Sequence, residues 1–137
     1  MWELLREVLK LEKRVVIAAD GLYALAQDVG VLRAKAAEVV LTPHYAEMAR
    51  LLDTDIACVE RNAIAAAKEF AKKQNVTVVL KGAYTVVAGH ECYVNNSVGN
   101  AGMATAGSGD VLSGVTGALL CKVQDSTDVY KRQDWDL

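Results

Sequence analysis

Short runs of β-branched residues alternate along this chain with longer segments of helical periodicity, and this alternation most constrains its fold. The strand-like runs occupy residues 15–19, 38–41 and 76–80. Apolar residues at helical spacing occur at residues 2–12 and in an alanine-rich stretch at 56–74. Such alternation favours a mostly parallel β-sheet covered by helices. We therefore predict an α/β fold whose mostly parallel sheet is flanked by helices.

Turn and capping signals set the predicted boundaries in the first half of the chain. The first strand ends at Asp20-Gly21, a turn signal, and a short helix is expected at residues 22–26. Thr42 is expected to be the N-cap of the next helix, with Pro43 at its first helical position. The residues of that helix expected to face inward are Tyr45, Met48, Ala49 and Leu52.

The second half of the chain combines one long helix, a hairpin and a glycine-rich segment. Residues 56–74 are expected to form a single helix. Residues 84–88 and 92–94, separated by Gly89-His90-Glu91, predict a β-hairpin. A further helix is expected from about residue 111 to 120. Residues 121–137 are polar and lack a periodic apolar face, so we expect them to be disordered or foreign to the domain.

Composition excludes several classes of function. The hydrophobic content of 53% fits a globular protein, and the net charge is −2 with dispersed basic residues. A nucleic-acid surface would need a basic stripe, so none is expected. Cys58, Cys92 and Cys121 lack metal-type spacing and indicate free thiols in a reducing compartment. No secretory signal is visible among the charged first residues, and no uncharged run approaches the ~20 residues of a membrane span. We expect a soluble cytoplasmic protein that does not contact a membrane.

The strongest chemical signal is the glycine-rich stretch at residues 100–114, NAGMATAGSGDVLSG. Its glycines let the backbone turn tightly and approach a ligand without side-chain clash. The stretch leads into a predicted helix N-terminus, where unpaired amides and the helix dipole favour a nucleotide phosphate. Asp110 lies at the mouth of that helix, where it could deprotonate a hydroxyl or simply cap the helix. The spacing matches neither the dinucleotide fingerprint nor the Walker pattern.

The string GNAGMATAGSGDVLSG at residues 99–114 resembles a known signature. Its GSGD portion, followed by an apolar helix, is similar to the anion hole of ribokinase-like enzymes, whose aspartate activates the attacking hydroxyl. The complete string resembles the signature of NAD(P)H-hydrate dehydratases. The resemblance implies a ribokinase-like fold and a catalytic role for Asp110.

Three other segments resemble the same family in order and spacing. LTPHYAEMARL at residues 41–51 is similar to the TPHxxE segment that lies against the hydrated nicotinamide substrate, and KGAYT at 81–85 is similar to the KGxxT segment that contacts the nucleotide. VIAADGL at 16–22 resembles a VIDADAL-type strand. Its Asp20 matches the second aspartate of that pattern, whereas Ala18 stands in place of the first. Without the family, His44 would be only a polar residue in the first turn of a surface helix.

The resemblance implies two groups of ligand-binding residues. The implied substrate-binding residues are Asp20, His44, Tyr45, Glu47, Arg50 and Asp110. The implied nucleotide-binding residues are Lys81, Gly82, Thr85, Asn100, Gly102, Met103, Ala104, Thr105, Ala106, Gly107, Ser108 and Gly109. ADP or ATP is the implied co-substrate, with Mg²⁺ accompanying its phosphates. No protein ligands for a metal are predicted.

The implied reaction is the nucleotide-dependent dehydration of NADH or NADPH hydrate, which restores NAD(P)H. We expect residues 1–120 to be a partial ribokinase-like domain, truncated at both ends, and residues 121–137 to be an unmatched tail. We also consider two further features of the full-length protein, a homo-oligomeric state and an upstream epimerase domain. Two alternatives stay open: a ribokinase-like kinase that phosphorylates a small alcohol such as a vitamin precursor, and an inactive nucleotide-binding fragment.

Overall fold

The computed structural model describes residues 1–89 and 92–95 of the chain. The glycine-rich segment at 100–114, including Asp110, lies outside these residues, as do the predicted helix at 111–120 and the tail at 121–137. The predictions made for those segments therefore stay predictions. No helix in the part that is described is long and apolar enough to cross a membrane.

A five-stranded sheet forms the centre of the fold, and its strands lie side by side in chain order. The strands are β1 (Arg14–Ile17), β2 (Glu38–Leu41), β3 (Thr77–Leu80), β4 (Thr85–Ala88) and β5 (Cys92–Asn95). Strands β1, β2 and β3 pair in parallel, whereas β4 is antiparallel to both of its neighbours. All strands except β4 therefore run in one direction, which confirms the predicted mostly parallel α/β sheet and the hairpin.

One helix precedes the first strand, and the others fill the connections between the parallel strands. They are α1 (Trp2–Leu9), α2 (Asp20–Leu25), α3 (Tyr45–Leu52), α4 (Ile56–Arg61) and α5 (Ala63–Gln74), with a 3₁₀ segment at Val29–Ala34. The predicted helices at the start of the chain and after β1 are therefore present. Asp20 and Gly21 belong to α2 rather than to a separate turn, because the reversal of the chain is made one residue earlier, at Ala19.

The core lies between the helices and one face of the sheet. Alternate residues of neighbouring strands line this face, since side chains on a strand alternate between its two faces. These strand residues are Ile17, Val39, Leu41, Val78, Leu80, Val86 and Ala88, all buried. The helices contribute residues such as Leu22, Met48 and Ala67, each almost completely buried. Val40, Val79 and Val87 on the opposite face are buried as well, as is usual for a parallel sheet.

The prediction of one helix over residues 56–74 is wrong, because the helix is interrupted at Asn62. The backbone of Asn62 leaves the helical region, with φ −129° and ψ 36°. Its side-chain amide donates to the carbonyl of Cys58 at 3.2 Å. Asparagine competes in this way for the hydrogen bonds of a helical backbone. The alanine-rich sequence therefore folds as two helices, α4 and α5.

The inward face of α3 also differs in part from the prediction. Met48 and Ala49 are buried as expected, but Leu52 is 37% exposed and Leu51 is buried in its place. The C-cap residue Asp53 adopts a left-handed conformation directly after Leu52, so the helix ends there. Leu52 consequently lies at a helix end that points away from the core.

Candidate functional site

The segments predicted to bind ligands follow the carboxyl ends of the three parallel strands. Asp20 comes shortly after β1, His44 shortly after β2, and Lys81 directly after β3. Because parallel strands end at the same edge of a sheet, the three segments meet there. Thr85, the first residue of the antiparallel strand β4, starts at this edge too. Ligands of α/β proteins bind outside this edge of the sheet.

The segment after β2 stays extended and pairs with the segment after β3. The backbone N–H of Lys81 donates to the carbonyl of Pro43 at 2.9 Å, and His44 forms a parallel bridge with Lys81. The helix therefore begins at Tyr45, with His44 as its N-cap, and the prediction that Thr42 caps a helix entered at Pro43 is wrong. The physical reason is that backbone pairing to Lys81 keeps residues 42–44 in strand-like conformation.

His44 and Glu47 form a reciprocal capping box at the start of α3. Nδ1 of His44 accepts a hydrogen bond from the backbone N–H of Glu47 at 3.2 Å, and Oε2 of Glu47 accepts one from the backbone N–H of His44 at 2.9 Å. The proton of a neutral imidazole must then be on Nε2, which lies 3.5 Å from Oε1 of Glu47. The His44 side chain is 55% exposed and that of Glu47 only 14%. Glu47 is thus engaged in the helix cap, whereas more than half of the His44 side chain remains exposed.

Tyr45 packs directly on the glycine that follows Lys81. A Cβ built at Gly82 would overlap the Tyr45 ring and its hydroxyl oxygen, so the backbone at 82 approaches the ring more closely than any other residue would allow. Burial raises the pKa of the Tyr45 phenol and the nearby Tyr84 raises it further, while a backbone hydrogen bond from Ala83 acts in the opposite direction. The predicted substrate and nucleotide segments are therefore in contact through this side chain.

The segment after β1 carries the most unusual backbone conformation of the site. Ala19, the N-cap of α2, has φ 47° and ψ −117°, a region that non-glycine residues rarely adopt. It directs the chain into α2, where Asp20 and Tyr23 are exposed. The guanidinium carbon of Arg50, on α3, lies 5.0 Å from the centre of the Tyr23 ring. This cation–π contact holds Arg50 beside α2.

The sequence did not predict that Thr42, a polar residue next to the site, is buried. It is completely buried at the end of β2, and its hydroxyl oxygen has no hydrogen-bond partner among the described residues. A buried hydroxyl without a partner destabilises a fold by about 1–3 kcal/mol. No sequence signal distinguishes such a threonine from a capping one, because both precede a proline and a helix.

Metal ligands do not cluster at this edge of the sheet. Across residues 1–89 and 92–95, no group of three or more His, Cys, Asp and Glu side chains could hold a metal ion. Mg²⁺ in nucleotide sites is held mainly by phosphates, water and one or two carboxylates.

Parallel strands followed by an antiparallel hairpin form the sheet of a ribokinase-like α/β protein. A ribokinase-like superfamily protein from Enterococcus faecalis superposes with a TM-score of 0.78 and 28% identity, over 94% of this chain and 45% of that one. The family model described as NAD(P)H-hydrate dehydratase matches residues 1–134. The chain belongs to the NAD(P)H-hydrate dehydratase family.

Individual relatives agree with this assignment. The ADP-dependent (S)-NAD(P)H-hydrate dehydratase of Neisseria meningitidis is 48% identical over 115 residues, and the bifunctional NAD(P)H-hydrate repair enzyme Nnr of Moorella thermoacetica is 44% identical over 119. These alignments cover 81% and 85% of this chain but only 38% and 22% of the relatives. The Bacillus subtilis ADP/ATP-dependent dehydratase, co-crystallized with ATP/Mg²⁺, superposes with a TM-score of 0.72 and 29% identity, over 89% of this chain and 43% of that one.

Proposed function

We propose that this chain takes part in the ADP- or ATP-dependent dehydration of hydrated NADH or NADPH, with Mg²⁺ bound to the nucleotide. The observation that carries the proposal is the pairing of the His44 segment with the Lys81 segment at the carboxyl edge of the parallel strands. A phosphoryl transfer between two small molecules requires two binding segments side by side, since its catalysis is mainly positioning and charge stabilisation. The names of the relatives supply the substrate class.

The glycine-rich segment fits this arrangement. Strand β5 pairs with β4 so that Asn95, its last residue, lies opposite Thr85 at the same edge of the sheet. The chain therefore leaves β5 at the edge where His44 and Lys81 meet, and the glycine-rich sequence begins shortly afterwards. Its amides would stabilise charge on the transferring phosphoryl group, and Asp110 would act as the base.

The proposed reaction has two steps. In the first, the ring hydroxyl of the hydrated cofactor attacks the terminal phosphorus of ATP or ADP, its proton passes to the carboxylate of Asp110, and the bridging phosphorus–oxygen bond of the nucleotide breaks. In the second, the carbon–oxygen bond to the new phosphate ester breaks, inorganic phosphate leaves, and loss of a ring proton restores the double bond of NAD(P)H. Phosphorylation is needed because hydroxide is a poor leaving group.

The described side chains would bind and orient the two ligands. The His44 side chain is 55% exposed, and its Nε2–H would donate to the hydrated nicotinamide in place of Oε1 of Glu47, because Nδ1 is engaged in the helix cap. Arg50 makes no ion pair among the described residues and is held against Tyr23, which leaves its N–H groups available for a substrate phosphate. Lys81 and Thr85 would bind the nucleotide phosphates from the other side, and Asp20 would face the substrate.

Turnover of the hydrate is the direct test. The chain is incubated with NADH hydrate, Mg²⁺ and either ADP or ATP, and both NADH absorbance and released phosphate are followed. Recovery of NADH with stoichiometric phosphate supports the proposal, and Asp110→Asn is the matched inactive control. Accumulation of a phosphorylated alcohol from added vitamin precursors would favour the kinase alternative instead. Nucleotide binding without either reaction would favour the non-catalytic fragment.

The whole protein's context is a second proposal. Relatives from Moorella thermoacetica and Escherichia coli are named bifunctional repair enzymes, and each is much longer than this chain. We extend the expectation of an upstream epimerase domain, a cytoplasmic location and a homo-oligomer to the full-length protein. Sequencing the DNA on both sides of the coding segment tests the first of these expectations.

A further inference from the structure

Tyr45 belongs by sequence to the substrate segment, but its side chain lies against the nucleotide segment. It is the first residue of α3 and is half-buried. Its ring and hydroxyl occupy the space that a side chain at Gly82 would need. The ring and the hydroxyl of Tyr45 are therefore in contact with the backbone of the nucleotide segment.

The backbone attaches the two segments at the same place. Lys81 donates its N–H to the carbonyl of Pro43 at 2.9 Å, and His44 bridges Lys81. Backbone pairing with residues 43 and 44 therefore fixes the position of Lys81, and the Tyr45 ring packs on the next residue, Gly82. Lys81 and Thr85 are the residues proposed to bind nucleotide phosphates, and the short turn at 82–84 separates them.

We propose that Tyr45 is a positioning residue that fixes the turn between Lys81 and Thr85 for nucleotide binding, and that it is not a substrate contact. This inference rests on the proposed function, because it assigns the turn to the nucleotide. The ring fills the space above Gly82 and prevents the turn from shifting toward α3. Removing the ring lets the turn adopt other conformations. Nucleotide affinity is then reduced in proportion to the fraction of molecules whose turn keeps the binding conformation.

The prediction has a characteristic pattern in a double-mutant cycle. Tyr45→Ala weakens nucleotide binding by roughly tenfold, the scale of one or two lost local interactions. Gly82→Ala also weakens binding, because the new methyl group displaces the ring. The combined Tyr45→Ala and Gly82→Ala variant binds no more weakly than Tyr45→Ala alone, since the ring that the methyl group would meet is absent. Tyr45→Phe retains most of the affinity because it keeps the ring.

The test is calorimetric titration of the chain with Mg-ATP and Mg-ADP, together with the KM values for nucleotide and hydrate. Leu52→Ala, which shortens a partly exposed apolar side chain on the same helix α3, is the matched control and should leave nucleotide affinity unchanged. The inference is supported if Tyr45→Ala raises the KM for nucleotide, leaves that for hydrate unchanged, and shows the non-additive cycle. A thermal melt of each variant shows whether it is folded.

Three outcomes overturn the inference, and they are distinguishable. Unchanged nucleotide affinity in a folded Tyr45→Ala variant, or a loss confined to the hydrate, would return Tyr45 to the substrate side. Equal losses for both ligands would reduce it to a structural residue. If the unmodified chain binds neither Mg-ATP nor Mg-ADP, the proposed function itself fails and this inference falls with it.

Discussion

Replacing His44 in two ways separates its helix-capping role from its proposed ligand role. Nδ1 of the imidazole accepts from the N–H of Glu47, while Nε2 is the nitrogen proposed to donate to the substrate. His44→Ala removes the cap and the donor together. His44→Asn removes the ring but retains a side-chain oxygen, and asparagine is among the best N-cap residues. The two variants should therefore differ in stability and agree in catalysis.

The magnitudes follow from the two lost interactions. Loss of an N-cap side chain costs about 1 kcal/mol, which for a chain of this length lowers Tm by roughly 4 °C. His44→Asn should lie within about 0.5 kcal/mol of the unmodified chain. Loss of one hydrogen bond to substrate costs about 1 kcal/mol, so both variants should raise the KM for hydrate by roughly fivefold. Nucleotide affinity should not change in either variant.

Thermal unfolding followed by circular dichroism gives the first quantity, and NADH recovery at varied hydrate concentration gives the second. The reasoning is refuted if His44→Asn restores both stability and hydrate use, since His44 would then be a helix cap alone. Loss of only ADP or ATP affinity would show that the substrate and nucleotide sites have been exchanged in the proposal.

Four further predictions concern the rest of the chain. Asp110→Asn should lower turnover by about 10²–10⁴-fold with nucleotide affinity retained; near-normal turnover would make Asp110 a helix cap. Thr42→Val should raise the free energy of unfolding by about 1 kcal/mol, measured by denaturant titration, because it removes a buried hydroxyl without a partner; a loss of stability would disprove this. Because burial raises the pKa of Tyr45 in the folded chain, its contribution to stability should be complete below the ordinary pKa of 10.0 and should decline as pH rises above it. Tyr45→Phe should show a smaller decline in Tm over that range, and an equal decline would contradict the assignment. Deleting residues 121–137 should leave Tm and nucleotide binding unchanged, and loss of folding on deletion would show that the tail belongs to the domain.

Local sequence patterns were sufficient to predict the strands of the sheet. The bounds of β2 match the prediction, and the hairpin of β4 and β5 lies within one residue of the predicted segments 84–88 and 92–94. These elements are predictable because the periodicity of a strand and the chemistry of a turn are properties of neighbouring residues. The family was predictable for the same reason, since its signature is one unbroken string.

Local patterns failed where a side chain had two options. The sequence at 56–74 has the composition of one helix, yet the amide of Asn62 bonds to a carbonyl of the preceding turn and the helix divides. Helix propensity does not reveal such an interruption, because each residue changes the free energy of helix formation by only fractions of a kcal/mol. The sequence alone gives no indication that this asparagine, rather than another polar residue nearby, interrupts the helix.

The sequence by itself determined the class of fold and the family, and it predicted the segments that carry chemistry. Only the tertiary structure decided where α3 begins, which partner each side chain contacts, and how the predicted ligand segments meet. His44 became the helix cap because residues 42–44 pair with Lys81, which is distant in sequence. Tyr45 turned toward Gly82 for the same reason. Contacts between segments far apart in the chain leave no periodic trace in either one, so they become visible only when the sheet brings the strand ends together.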